Sequence, residues 1–259
     1  MTDRIKRFEA IDNFRDFGNY AGGMGRHIRP GHLYRSAHQA RATEADLEAL
    51  GALDLGLVVD LRRPSERRGQ PSRRPAAFAA RVIESDHDDG GEAPHITFLK
   101  TADLTEESGR AFMTDTYRRL PFEPSHLELF SRYFEALADS DRPVLIHCAA
   151  GKDRTGLLAA LTHHLLGVAA DDVIGDYLLT NQAVDLEGQA GFVAERLRAM
   201  TGRTASHGAV VAFLGVEPAF LDAAFAAIRE RHGSVDAYLA QALGVDADRR
   251  DRIGARLSA

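Results

Sequence analysis

The stretch from Pro143 to Gly167 constrains this chain more than any other. Val144, Leu145 and Ile146 make a short apolar run, the pattern of a strand buried on both faces. Leu157, Leu158, Ala160, Leu161, Leu165 and Leu166 then recur at helical spacing, and Gly167 stands where a helix stops. A strand that feeds a helix through a short loop is the building unit of a layered α/β domain. The expectation is a central, mostly parallel sheet flanked by helices. The loop itself, His147-Cys148-Ala149-Ala150-Gly151-Lys152-Asp153-Arg154-Thr155, closes on the helix N-terminus, where several backbone N–H groups converge on one small concavity. A tetrahedral oxyanion fits such a hollow.

The residue types in that loop suit attack on phosphorus. The thiolate is the reactive form of a cysteine, and a helix N-terminus with neighbouring cations favours it. Cys148 would have both, since Lys152 and Arg154 share its loop. Arg154 brings a planar fork that holds two oxygens of a phosphoryl group, whereas Lys152 adds a point charge. Ala149, Ala150 and Gly151 supply amides, and Gly151 lets the backbone turn with no Cβ in the way. The Thr155 hydroxyl is placed to assist departure of the sulfur. Asp153 is unusual among anion-binding groups; it fits if protonated, bonded to a neighbour, or turned toward the leaving oxygen. Since Arg154 and Lys152 take the charge that Mg²⁺ carries elsewhere, neither a metal nor another cofactor is expected.

The run from His147 to Thr155 resembles the His-Cys-x5-Arg-Thr/Ser signature of cysteine-dependent phosphatases and matches it throughout. Its Gly-Lys-Asp-Arg-Thr variant resembles the bacterial branch of tyrosine and dual-specificity, lipid-active phosphatases typified by the mycobacterial tyrosine phosphatase B. Asn13-Phe14-Arg15-Asp16, Leu33-Tyr34-Arg35-Ser36, Val59-Asp60-Leu61-Arg62 and Asp176-Tyr177-Leu178-Leu179-Thr180-Asn181 are also similar to that branch. So are Met113-Thr114-Asp115 with Tyr117-Arg118, and the tail from Gly215 to Leu257. The resemblance implies one phosphatase domain over 1–259 and a phosphorylated protein or phosphoinositide as substrate. It also implies that Asn13, Arg15 and Asp16 pack near the phosphate loop, where the residues alone favour a scaffolding role. The region 187–214, with Phe192, Val193, Leu197, Val210, Phe213 and Leu214, is where related enzymes carry a helical lid; a fixed helical layer is the alternative.

Composition narrows the remaining choices. With 259 residues and 44% hydrophobic content, the chain can bury a large core with appended helices. A net charge of -6 gives no electrostatic case for nucleic acid. One cysteine excludes an intramolecular disulfide. The start, Met1 to Arg7, lacks an apolar signal region, so the expected location is cytoplasmic, with signal-independent secretion left open.

Along the chain, 8–36 reads as short strands and turns. Thr43 and Asp46 form a capping-box pair for a helix over Leu47 and Leu50. Leu55 to Val59 and Phe78 to Ile83 read as strands, and Asp60 and Arg62 as groups that hold a loop in place. The arginine run Arg62, Arg63, Arg67, Arg68, Arg73 and Arg74 is expected to be a solvated connector, with transient contact to an acidic membrane surface as the alternative. Two helices fall within 105–139, and Asp171 or Asp172 is expected to cap the helix that carries Tyr177. Further helical patterns run around 187–200, 205–214 and 217–232, and from Ser234 through Leu243. His163 and His164 read as packing and surface rather than as metal ligands.

With no tryptophan, the chain has no Trp-Pro-Asp loop. The general acid is therefore sought among Asp86, Asp88 and Asp153. The sequence leaves three functional classes: a phosphomonoesterase working through a phosphocysteine, a silent phosphate-binding module, and a sulfurtransferase, against which Arg154-Thr155 argues. It leaves substrate preference and oligomeric state open.

Overall fold

The computed structural model describes residues 4–87, 94–184 and 186–258. Among these, the strands β1 (Arg15–Asp16), β2 (Leu33–Ser36), β3 (Leu57–Asp60), β4 (Arg81–Ile83) and β5 (Val144–His147) form a single sheet in the order β1-β2-β5-β3-β4. All pairings are parallel except β1 with β2. β5 lies at the centre, with Val144 level with Leu33 on one side and Leu57 on the other. Its carboxyl end therefore emerges between two neighbours that run the same way, where ligand crevices form in open α/β sheets.

Alternation along the strands sorts the two faces. Val144, Ile146, Leu57, Val59 and Leu33 point into the larger apolar core. Leu145, Val58 and Tyr34 point the other way, into a smaller cluster with Phe14, Leu47 and Leu50. That smaller side is covered by α1 (Glu44–Ala52), whose N-terminus carries the expected capping box between Thr43 and Asp46. Asp46 also accepts hydrogen bonds from the amides of Glu9 and Ala10 at 2.7 and 2.9 Å, tying the N-terminal segment to the helix.

The other helices in chain order are α2 (Pro64–Gly69), α3 (Pro94–Thr101), α4 (Glu106–Arg119), α5 (Pro124–Asp139), α6 (Asp153–Leu165), α7 (Ala170–Ala183), α8 (Leu186–Thr201), α9 (His207–Leu214), α10 (Pro218–His232), α11 (Val235–Gln241) and α12 (Ala247–Leu257). Proline opens α2, α5 and α10 at a position where its missing N–H costs nothing. α4 lies against α9 and α10, α5 against α12, and α6 against α7. α8 and α9 share a third apolar cluster with α3, built from Leu99, Leu104, Ala190, Leu197, Ala209 and Val210. Most of the apolar residues on 187–214 are thus inside that cluster, while Phe192 stays 67% exposed.

Three expectations need correcting. The arginine run is not a connector throughout, because Pro64-Ser65-Glu66 starts the short helix α2. The strand expected from Phe78 begins only at Arg81, since the Phe78 amide is used in a turn onto the Pro75 carbonyl at 3.1 Å. The cap of α7 is Ala169, with no side-chain hydrogen bond; Asp171 and Asp172 lie inside the first turn, where a negative charge still favours the helix dipole.

Candidate active site

β5 ends at His147, α6 begins at Asp153, and the loop between them is anchored from outside. Asn13 donates from Nδ2 to the carbonyls of Ala150 and Gly151 at 3.1 and 2.9 Å. Arg35 donates from Nη2 to the Gly151 carbonyl at 3.0 Å, and the His38 amide to the Ala149 carbonyl at 3.2 Å. These contacts occupy the carbonyls of residues 149–151 and leave the loop amides free of them, as a backbone anion nest requires. Gly151 has φ of 67°, and a Cβ there would lie 2.4 Å from the Ser36 backbone. No residue with a side chain fits this turn without displacing β2.

Beneath the loop lies a buried charge cluster. Asp176 on α7 receives Arg15 Nε at 3.3 Å and Arg35 Nη1 at 2.7 Å. Arg15 also reaches the Asn13 side chain, the Asp176 carbonyl and Thr180. Burial would raise the Asp176 carboxyl, but the two guanidinium charges bring it down to about 2. Asn13 and Arg15 are therefore scaffold to the loop, and the Asp176–Asn181 stretch supplies the counter-charge.

Arg154 in the first turn of α6 is fixed by a residue the sequence did not single out. Its Nη1 and Nη2 donate to the two carboxylate oxygens of Glu66 at 2.6 and 2.9 Å, and Nη1 also donates to the Leu61 carbonyl at 3.1 Å. Burial favours loss of the Arg154 proton, yet the Glu66 pair outweighs it and holds the guanidinium charged; the charges of Cys148 and Asp153 act in the same sense. Burial likewise opposes ionisation of Glu66, and Arg154 reverses this, lowering its carboxyl to about 2. The signal in the sequence was Pro64-Ser65-Glu66, a helix start two residues past the end of the Asp60-Leu61-Arg62 strand exit.

Cys148 is 2% exposed at the bottom of the loop. The Thr155 hydroxyl is buried and has no partner among the described residues. Lys152 reaches across to α9: its ammonium donates to the Phe213 and Gly215 carbonyls at the C-terminal end of that helix. It lies 5.8 Å from the Phe213 ring centroid and 3.7 Å from an Asp153 oxygen. Asp153, on the loop's own edge, accepts a hydrogen bond from the Tyr117 hydroxyl at 2.9 Å.

Asp86, the other acid within the described residues, is 96% exposed and paired with Arg67 at 2.9 Å. Asp88 lies outside the described residues. Asp60 and Arg62 hold each other at 2.7 Å, and Arg62 goes on to the Gln70 carbonyl and Ser72, so the pair secures α2. Burial would raise Asp60, but His147 and Arg62 lower it to about 2. His147 is fully buried with its nearer nitrogen 3.7 Å from Asp60, and burial lowers it to about 4, so it is neutral at physiological pH. His163 is buried against the Phe17 carbonyl at 2.6 Å, and His164 is exposed beside Asp236. Among the described residues no group of three or more His, Cys, Asp or Glu is placed to hold a metal ion.

A cavity of about 230 Å³ opens beside the loop. Its lining includes Asp12, His38 and Arg41, Ala149, Ala150 and Lys152 of the loop, and Leu186, Gln189 and Leu214.

Comparison with known proteins agrees with this architecture. The model of the tyrosine phosphatase family matches residues 6–259. A protein of Cupriavidus necator named as a tyrosine-protein phosphatase is 38% identical over 92% of this chain and 84% of its own. The triple specificity protein phosphatase PtpB of Mycobacterium tuberculosis is 34% identical over 92% of this chain and 94% of its own. A tyrosine-protein phosphatase of Nostoc commune is 29% identical over 86% and 73%. A cysteine-bearing loop with its arginine locked in place, and likeness over most of the length of these relatives, lead to one assignment: the chain belongs to the tyrosine phosphatase family, hydrolases of the protein-tyrosine-phosphatase type.

Proposed function

We propose that this phosphatase hydrolyses phosphomonoesters through a phosphocysteine intermediate and accepts phosphotyrosine first, with phosphoserine, phosphothreonine and phosphoinositide headgroups as further substrates. The Glu66–Arg154 pair is the observation that carries the reading. A guanidinium held by a bidentate carboxylate keeps one orientation, and the charge of Cys148 acts on it across the loop. In the first step the Cys148 thiolate attacks phosphorus as the bond to the leaving oxygen breaks. Asp153 delivers a proton to that oxygen. Loop amides and Arg154 take up the charge on the three equatorial oxygens. In the second step water attacks phosphorus, its proton passes to Asp153, and the P–S bond breaks with Thr155 donating to the departing sulfur. The triple-specificity name of the mycobacterial relative is consistent with a broad substrate range.

The segment 187–214 acts as a lid in this reading. α8 and α9 pack around their own apolar cluster, they contribute to the lining of the cavity beside the loop, and Lys152 fastens the end of α9 to the loop.

The test is phosphate release from an aryl phosphate, inhibited by vanadate and unaffected by chelator. Cys148→Ser should abolish turnover and retain vanadate binding; turnover in that variant would refute covalent catalysis. A panel of phosphopeptides and phosphoinositides assayed side by side decides the substrate range. Limited proteolysis with and without vanadate tests the lid, and unchanged cutting across 187–214 would count against it.

A further inference from the structure

Tyr117 and Tyr177 are both fully enclosed, and the reaction sequence above makes no use of them. They come from α4 and α7, sixty residues apart, yet their hydroxyls lie 2.6 Å from each other. Tyr177 donates to Tyr117, and Tyr117 in turn donates to Asp153 Oδ1 at 2.9 Å. The direction of this chain is set by its end, because an ionised carboxylate only accepts. Gly156 makes room for it: a Cβ at that position would sit 3.0 Å from the Tyr177 ring. The Tyr117 ring is further held by Phe220, 5.7 Å away on α10.

Two polar hydroxyls in an apolar core are costly unless bonded. Here they are bonded to each other and to one oxygen of one carboxylate. We infer that Tyr117, fixed by Tyr177, is a positioning residue that orients the Asp153 carboxyl and tunes its hold on the proton given to the leaving group. The inference rests on Asp153 being the general acid. Oδ1 is occupied by the tyrosine in either protonation state, so the transferable proton resides on Oδ2. When the acid gives up its proton, the same O–H stabilises the carboxylate that results.

Other charges bear on this carboxyl. Lys152 from the loop and Arg154 from α6 are its cationic neighbours. Arg35 on β2 and Glu217 at the start of α10 act on Tyr177, with opposite sign. None of these replaces the O–H donor, so removing it should weaken the ionised form of Asp153.

The experiment compares kcat/KM of the full chain for aryl phosphates whose leaving groups range from p-nitrophenol to phenol, over pH. Tyr117→Phe should cost roughly ten-fold on phenyl phosphate and much less on p-nitrophenyl phosphate, since general acid assistance matters most for the poorer leaving group. The basic limb of the profile, which requires protonated Asp153, should move to higher pH. Tyr177→Phe should act in the same sense and more weakly, and it carries the test should Tyr117→Phe fail to fold. An equal loss across all leaving groups with an unmoved basic limb would overturn the inference and leave the tyrosines as packing. Asp153→Asn separates the levels. If it steepens the leaving-group dependence and the tyrosine variants do not, only the tyrosine inference falls. If it leaves that dependence unchanged, Asp153 is not the acid and both fall together.

Discussion

Glu66 and Arg154 meet edge to edge, each terminal guanidinium nitrogen on its own carboxylate oxygen, at 2.6 and 2.9 Å. The pair joins α2, which follows β3, to the first turn of α6, which follows β5, so two adjacent sheet strands cooperate to aim one side chain. Glu66→Gln keeps the shape and loses the charge and one acceptor. We expect a fall in kcat/KM of roughly 10- to 100-fold, the scale of a small misplacement of a catalytic group. Circular dichroism should stay unchanged, and steady-state kinetics with an aryl phosphate checks the outcome; wild-type rates would show that Arg154 orients without Glu66.

Gly151→Ala should be far more damaging than its size suggests. The left-handed backbone resists a side chain, and the added carbon would meet the β2 backbone at 2.4 Å. We expect loss of vanadate binding together with a lowered Tm, measured by calorimetry. Intact vanadate binding would mean that the loop tolerates another path.

Stability should fall with acid in two stages. Neighbouring cations hold Glu66, Asp60 and Asp176 down to about 2 in the folded protein, below their ordinary values of 4.5, 3.8 and 3.8. Their contribution is complete above the unfolded values and drains away as pH falls toward about 2. His147 starts earlier. Burial lowers it from 6.5 to about 4, so between those values the unfolded chain binds a proton that the folded one refuses, and stability drops as pH falls. Buried His163 is lowered in the same direction. Tm measured against pH should decline gently from pH 6.5 and steeply below pH 4; a flat curve down to pH 4 would contradict the neutral, buried state of His147.

Lys152→Met should loosen α9 without emptying the loop. The ammonium is spent on the Phe213 and Gly215 carbonyls, so its removal frees the end of that helix. Faster proteolysis within 187–214 and a modest change in kcat/KM are expected. A large loss of vanadate affinity with unchanged cutting would instead place Lys152 on the phosphate.

Local order carried most of what could be read beforehand. The strand before Cys148, the helix through Leu157 to Leu165 and the Thr43–Asp46 cap are each decided within a few residues, and each is visible as periodicity or a capping pair. Glu66 was not, because its significance depends on a partner 88 positions away and it sits among arginines that read as solvated. The Tyr177–Tyr117–Asp153 chain was hidden for the same reason, since two helical apolar stripes contain those tyrosines as ordinary core residues. Lys152 shows the limit from the other side: its place in the loop points to phosphate, while the structure puts its ammonium on carbonyls at the carboxyl end of α9, a contact no local pattern reveals.

Asp176 has an architectural consequence. Arg15 and Arg35 come from the N-terminal part of the chain, and the carboxylate lying between them comes from α7, beyond the helix that closes the loop. A version trimmed back to the sheet and α6 would leave two enclosed cations facing each other with nothing to neutralise them. The ground under Cys148 would then repel itself apart, so the helical second half supports the 147–155 loop as much as the strand that begins it.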